Sequence, residues 1–309
     1  MMPGYETLLF YKYVPIADAP AFTAEHLDFC RQLGIRGRVL IADEGINGTV
    51  SGTAEQMRHY RNHLHADERF ADMPFKIDVC DGHTFEKLQV RYRKEIVHFG
   101  VSSIDVENMR GTYIEPHEFV QMKDEPDVVV VDFRNRVEWE VGRFRNAVVL
   151  PIDRFRQVPE CLPLLEPYKH RRIVAYCTGG IRCEKATAFL RSKGFEQVYQ
   201  LHGGIIEYGK QVGGKDFDGK CYVFDHRITV DVNSVNPTLI SHCAMCGTPS
   251  ARYINCANEV CNRHFICCAS CSEIMEGCCN NACRHHPKKR RYDGTGFYHK
   301  KAVINAPHF

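Results

Sequence analysis

The stretch Arg172-Ile173-Val174-Ala175-Tyr176-Cys177-Thr178-Gly179-Gly180-Ile181-Arg182 decides how this 309-residue chain is read. Arg172 opens a short apolar run that ends at Cys177 and enters a glycine turn. Residues 183–193 then read as a helix stopped by Gly194. Comparable apolar runs at 128–132, 146–150 and 197–201 alternate with helical or irregular segments. Near-continuous apolar strands imply a parallel sheet covered on both faces. Reactive loops in such sheets lie at the C-terminal ends of strands, which is where Cys177 stands.

The loop has the parts of an anion cradle. The backbone N–H groups of Thr178, Gly179, Gly180 and Ile181 can turn inward, and a helix N-terminus adds partial positive charge. A thiol in that position is expected to fall from ~8.5 into the ~3.5–7.5 range, so Cys177 is the expected nucleophile. Arg182 is expected to close the cradle or to pair with a bound anion. Cys183 is read either as a resolving thiol that forms a disulfide with Cys177 or as a small residue where helix meets sheet. The competing reading of Cys177 is an inert buried cysteine before a turn.

Around this loop the chain resembles the rhodanese family. Asp132, Arg134, Glu138, Gly142, Phe144, Ala147 and Pro151 follow that family's pattern upstream. Gly194, Phe195, Val198, Tyr199, Leu201, Gly203 and Gly204 follow it downstream, while Trp139 stands where Tyr is commoner. Four residues separate Cys177 from Arg182, the spacing of a sulfur-handling loop rather than of the longer cysteine-phosphatase loop.

Upstream, residues 8–14 and 39–42 read as strands, with a helix between them capped by Thr23 and ended by Gly34. Thr53 and Gln56 have capping-box spacing for a second helix to about residue 64, and 75–79 and 89–98 are strand-like. The order β-α-β-β-α-β predicts a ferredoxin-like sandwich. The expected architecture is therefore α+β and α/β. Residues 1–112 form a ferredoxin-like domain, 113–217 a rhodanese domain with a parallel sheet, and 218–309 a small Cys-rich module.

Within that last module, residues 243–283 hold ten of the chain's 16 cysteines. They include the pairs Cys243/Cys246, Cys256/Cys261, Cys268/Cys271 and Cys279/Cys283, whose spacing suits two Zn²⁺ ions bound consecutively or crossed. Cys267 and Cys278 are left over, and His242, His264, His285 and His286 are alternative ligands. Disulfides, packed thiols and an iron–sulfur cluster are the other readings. Cys30, Cys80, Cys161 and Cys221 have no partner pattern and read as small core residues. Clustering of the cysteines at one end, with no basic, apolar leader, fits a cytoplasmic protein without a membrane span.

The chain carries 40 Lys+Arg against 38 Asp+Glu, a net charge of +2 that argues against a general polyanion binder. Residues 219–309 hold 11 basic and 6 acidic side chains, peaking at Lys288-Lys289-Arg290-Arg291. That run, Arg36 and Arg38, and Arg91-Tyr92-Arg93-Lys94 are the expected RNA contacts, with a solvated surface as the plain alternative.

Adding Phe10-Tyr11-Lys12-Tyr13 and Glu44-Gly45-Ile46-Asn47-Gly48-Thr49 extends the resemblance over nearly the whole chain, to the oxygen-dependent tRNA uridine hydroxylase family. The resemblance implies hydroxylation of carbon 5 of the wobble uridine by molecular oxygen, with the tRNA anticodon loop as partner and the position of Cys177 essential. The electron donor is not given, since no Gly-rich nicotinamide or flavin fingerprint is present. Cys177 can serve as a persulfide carrier or as a nucleophile on carbon 6 of the base. A persulfide-dependent sulfurtransferase and a metal-dependent RNA-binding adaptor are the alternative functions.

Overall fold

Alternation along the first strand decides which face of the N-terminal sheet is closed. In the computed structural model, which describes residues 4–101 and 104–298, β1 (Tyr5–Tyr13) buries Leu8 and Phe10 completely on one side. Thr7, Leu9 and Tyr11 point to the other. The helix α1 (Ala19–Leu33) starts before Thr23. Asp18 is its cap, accepting from the Ala21 N–H at 3.0 Å, and Pro20 sits in the first turn. Asp caps as well as Thr does, and proline is pre-set for the first turn, so the earlier signal prevails. Thr23 lies inside the helix and donates its hydroxyl to the Ala19 carbonyl at 2.6 Å. Gly34, at φ +71°, ends the helix as expected. There follow β2 (Arg36–Ala42), β3 (Gly45–Thr53), α2 (Ala54–His65) with the Thr53/Gln56 capping box, β4 (Phe75–Cys80) and β5 (Leu88–Tyr92).

The sheet order is β4-β1-β3-β2-β5, a ferredoxin-like sheet with β5 added parallel to β2. β5 ends well short of residue 98. Beyond it Ile96, Val97 and Phe99 leave the sheet and bury against the central domain. Both helices cover one face, sealing Leu8, Phe10, Val39, Ile41, Val50 and their neighbours. The other face has no helix. Strand registers set Lys76 beside Leu9, Leu9 beside Thr49 and Thr49 beside Arg38 there.

The central domain runs α3 (Val106–Met109), β6 (Thr112–Ile114), α4 (Pro116–Met122), β7 (Val128–Asp132), α5 (Arg136–Trp139), β8 (Gly142–Phe144) and β9 (Val148–Val149). It continues with α6 (Leu162–Leu165), β10 (Arg172–Tyr176), α7 (Ile181–Ser192), β11 (Val198–Leu201) and α8 (Gly204–Val212). Its sheet, β6-β11-β10-β7-β9, is parallel throughout. Every residue of β7 is buried. Val129 and Val131 join the core on the α7 side, while Val128 and Val130 join the opposite one.

The chain then pairs β12 (Phe217–Gly219) with β8 and forms β13 (Cys221–Tyr222), β14 (Thr229–Val230), β15 (Tyr253–Asn255), β16 (His264–Ile266), α9 (Ala269–Ile274) and α10 (Asn281–Arg284). A seam of Val141, Tyr222, Ile228, Tyr253 and Ile266 fixes this module to the central domain. Among the described residues no helix is long and apolar enough to cross a membrane.

Candidate active site

Cys177 follows the last residue of β10 and is fully buried. The Gly180 N–H donates to its sulfur at 3.1 Å. Burial alone would raise the thiol pKa. The Cys183 thiol, the Arg182 charge and the Arg182 and Gly180 N–H groups more than offset that and bring it down to about 5. Of the four N–H groups read as a cradle, that of Gly180 points at the Cys177 sulfur, and the Arg182 N–H joins it. Behind the loop, the first turn of α8 donates Ile205 and Ile206 N–H to the carbonyls of Cys177 and Thr178 at 3.0 and 3.1 Å.

Arg182 differs from expectation. Its guanidinium is engaged bidentately by Glu138 at 2.6 and 2.7 Å and also reaches the Thr178 hydroxyl at 3.3 Å. A planar fork matched to a buried carboxylate is strongly held, so Arg182 acts on Cys177 through its charge and its backbone N–H. A second buried pair, Arg134 with Asp132, takes the Tyr176 hydroxyl on Asp132 at 2.6 Å and braces the end of β10.

The helix that follows the loop is unusual in its covering. Residues Ile181 to Leu190 of α7 are all buried, including Glu184 and Lys185. Each charge has partners from another element. Glu184 accepts from Tyr11 and Tyr113 at 2.9 and 2.7 Å and from Gln200 at 3.2 Å. Lys185 donates to Glu44 and Glu95, both at 2.8 Å. The N-terminal domain is therefore joined to the loop helix by paired polar groups, the condition under which buried charges are tolerated.

The helix-free sheet face lies over the loop. A methyl group on Gly179 would come within 2.8 Å of Leu9, and one on Gly180 (φ +104°) within 2.8 Å of the Tyr11 hydroxyl. Lys76 donates to the Gly179 carbonyl at 3.0 Å. Burial holds its pKa down, opposed by Glu207 and the Cys177 sulfur. The resulting cavity has Cys177 and Thr178 on its floor and Leu9, Tyr11, Arg38, Leu40, Thr49 and Lys76 on its ceiling. The segment after β13 closes one side with Phe224 and Arg227, and Phe85 also lines it. Among these, Arg38 and the loop residues stood out in the sequence as site candidates, while Tyr11 and Thr49 stood out only within the two N-terminal motifs of the family resemblance.

The similarity of this chain to known proteins covers the same three bodies. A UPF0176 acylphosphatase-like domain matches residues 5–96, a rhodanese-like domain 115–211, and a rhodanese C-terminal domain 218–284. The tRNA uridine(34) hydroxylase of Cytophaga hutchinsonii is 52% identical over 97% of this chain and 96% of its own length. Those of Bacillus velezensis and Staphylococcus carnosus are 48% and 47% identical over 86% and 87% of this chain, and 84% and 90% of their own lengths.

The chain belongs to the tRNA uridine(34) hydroxylase family.

Among solved structures, the rhodanese-like domain of an Anabaena protein is 31% identical over 33% of this chain and 75% of that one, with a TM-score of 0.28.

In this member of the tRNA uridine(34) hydroxylase family the C-terminal cysteines form two interleaved tetrads. Cys243, Cys246, Cys268 and Cys271 make one, and Cys256, Cys261, Cys279 and Cys283 the other, the sulfurs of each lying within 4.8 Å of one another. Cys246 and Cys268 are 3.8 Å apart, Cys261 and Cys279 3.6 Å, and Cys279 and Cys283 3.8 Å. Four sulfurs at Zn–S bonds of ~2.3 Å would stand about 3.8 Å apart along a tetrahedral edge. The cluster could bind metal, and of the two arrangements open from spacing the crossed one occurs. Cys267 and Cys278 are buried in the module core, and none of the four histidines joins a tetrad. All 16 cysteines are free thiols.

The basic candidates divide. Arg91, Arg93, Lys94, Lys288 and Arg291 are exposed. Lys289 pairs with Glu276, while Arg290 donates to the Cys256 and Ala257 carbonyls at 2.7 and 3.1 Å and lies 3.9 Å over the Tyr298 ring. Half of the 288–291 run is thus spent on holding the module together. Arg38 and Leu40 pair in register with Gln89 and Arg91, so Arg91 shares the sheet face that roofs the cavity.

Proposed function

We propose that this chain hydroxylates carbon 5 of uridine 34, the wobble base of tRNA, with molecular oxygen, and that Cys177 opens the reaction as a nucleophile. The observation that carries this reading is a cysteine, its pKa brought down to about 5 by its neighbours, on the floor of a cavity roofed by the basic, helix-free face of a second domain. Uridine is unreactive towards oxygen at carbon 5. Addition of a thiolate to carbon 6 moves the ring's π pair onto carbon 5 and the carbonyl at carbon 4, which makes carbon 5 electron-rich. Covalent catalysis of this kind divides one hard step into easier ones. Arg38 and Lys76 in the wall supply positive charge for the enolate so formed.

A wobble base lies in the single-stranded anticodon loop, where it can be splayed into a pocket between aromatic side chains such as Tyr11, Phe85 and Phe224. Arg91, Arg93 and Lys94 beside the roof, with Lys288 and Arg291 on the module, are the proposed phosphate contacts. The two cysteine tetrads would hold structural Zn²⁺, which supplies folding energy to a module with a small core. A tRNA substrate supports the cytoplasm as the proposed location.

The test is nucleoside mass spectrometry of tRNA treated with purified protein under ¹⁸O₂. Wild type should place one ¹⁸O on uridine 34, and Cys177→Ala should place none. A Cys177→Ala variant with full activity would end the proposal. Transfer of sulfur to the base, with no oxygen incorporated, would replace it with the sulfurtransferase reading.

A further inference from the structure

Hydroxylation by molecular oxygen leaves an electron account open. One oxygen atom goes to carbon 5 and the other must leave as water, which takes two electrons and two protons from a donor. A candidate donor lies behind the loop, in the same core cluster as the reacting sulfur. Cys183 lies in the first turn of α7, is 1% exposed, and its thiol is one of the groups that hold the Cys177 pKa down. Its N–H is bound to the Gly180 carbonyl at 2.9 Å, which fixes the turn that carries it. The two sulfurs share one core cluster and one helix start, and neither is in a disulfide.

We propose that the Cys177–Cys183 dithiol is the two-electron donor of the reaction, with Cys183 releasing the product by attacking the sulfur of Cys177. The inference rests on the hydroxylase reading above and completes it.

The steps balance. Cys177 thiolate adds to carbon 6, forming the S–C6 bond and an enolate through carbon 5. Carbon 5 gives its electron pair to O₂ and, with one proton, becomes a hydroperoxide that still bears its original hydrogen. Loss of that hydrogen as a proton breaks the O–O bond, leaves a carbonyl at carbon 5 and releases water. Cys183, as thiolate, then attacks the Cys177 sulfur. The S–C6 bond breaks, and its electron pair enters the ring as the enolate of 5-hydroxyuridine, which takes a proton on oxygen. The sum is uridine, O₂ and two thiols giving 5-hydroxyuridine, water and one disulfide. An external thiol entering by the cavity at Cys177 reduces the disulfide by ordinary exchange.

The environment also orders the two thiols in time. Burial raises the Cys183 pKa, and so do its hydrogen bond to Cys177 and the charge there. Once Cys177 is bonded to carbon 6 its negative charge is gone, and those last two causes go with it. Arg182 then favours the Cys183 thiolate, opposed by burial and by the charge of Glu184, which remain. Cys183 is held as a thiol until the first sulfur has been used.

The test is a single turnover with fully reduced enzyme, desalted free of thiol, mixed with tRNA and ¹⁸O₂. The expected result is one labelled 5-hydroxyuridine and one Cys177–Cys183 disulfide per enzyme, both read by mass spectrometry. Cys183→Ser should give roughly tenfold less product or lower in that single turnover, with the Cys177–tRNA adduct accumulating. Product from Cys183→Ser at the wild-type yield, or wild-type product with no Cys177–Cys183 disulfide, would overturn the inference. The disulfide measurement uses unmodified enzyme, so it stands even if a variant folds poorly. A wild-type enzyme that makes no 5-hydroxyuridine even with excess dithiothreitol would instead remove the hydroxylase reading itself.

Discussion

Cys177 owes its low pKa to groups that are all within the next six residues of chain: the N–H groups of Gly180 and Arg182, the Arg182 charge and the Cys183 thiol. The folded-state value of about 5 lies below the ordinary thiol value of 9.0. Between those two limits the unfolded chain binds the extra proton, so stability rises with pH across the window. The contribution is complete above the upper limit and is lost as pH falls through the lower one. Alkylation of Cys177 by iodoacetamide should therefore stay on a plateau at neutral pH and decline with a midpoint near 5. A midpoint near 9.0 would mean that the cradle does not hold a thiolate. At this scale the local order strand, Cys, glycine turn, Arg, helix was readable from sequence, because each part lies beside the next. The partner of Arg182 was not, since Glu138 is 44 residues away and identifiable only once α5 is folded beside the loop. Lys76, 103 residues from the Gly179 carbonyl that it binds, lies further still beyond reach of a local pattern.

Among the elements, the start of α8 constrains the loop most tightly. Gly204 has φ +67°, and a methyl group there would meet the Cys177 carbonyl at 2.5 Å and the Thr178 carbonyl at 2.8 Å. A side chain at such a position is strained by backbone conformation and by contact together. Gly204→Ala should cost about 1–3 kcal/mol in a urea melt and move the alkylation midpoint of Cys177 upward as α8 withdraws its N–H donors. A variant with unchanged midpoints in both measurements would show that α8 does not brace the loop. Elements were legible where period and cap agreed, as in α2 with its Thr53/Gln56 box and β7 with its unbroken apolar run. α7 was harder. Glu184 and Lys185 are charged positions early in this helix, and both are buried under the N-terminal domain. Periodicity reports which face is apolar and says nothing of a cover made from hydrogen-bonded charges.

For the whole molecule, three bodies meet at one cavity, so on the proposed reading reactivity and recognition come from different domains. The loop supplies the sulfur, the N-terminal sheet roofs it, and the segment after β13 closes a side. The C-terminal module should carry two metal ions per chain by elemental mass spectrometry, and one after Cys256→Ser. Chelation should raise hydrogen exchange in β15, β16, α9 and α10 while α1 and α2 keep their protection, since structural Zn–thiolate binding is worth roughly 10–16 kcal/mol in small modules. Metal-free protein with a protected module would refute this.

The interleaving of the tetrads has a consequence for synthesis. A chain emerging from the ribosome presents Cys243, Cys246, Cys256 and Cys261 before Cys268 exists. Those four are a complete thiolate set of the wrong composition, two from each final tetrad. An ion captured at that moment must be handed over when the second half arrives, so correct assembly depends on ligand exchange remaining faster than collapse of the half-made module. With the tetrads metal-bound as proposed, free-metal concentration during translation, and not only in the finished cell, would bear on the yield of native protein.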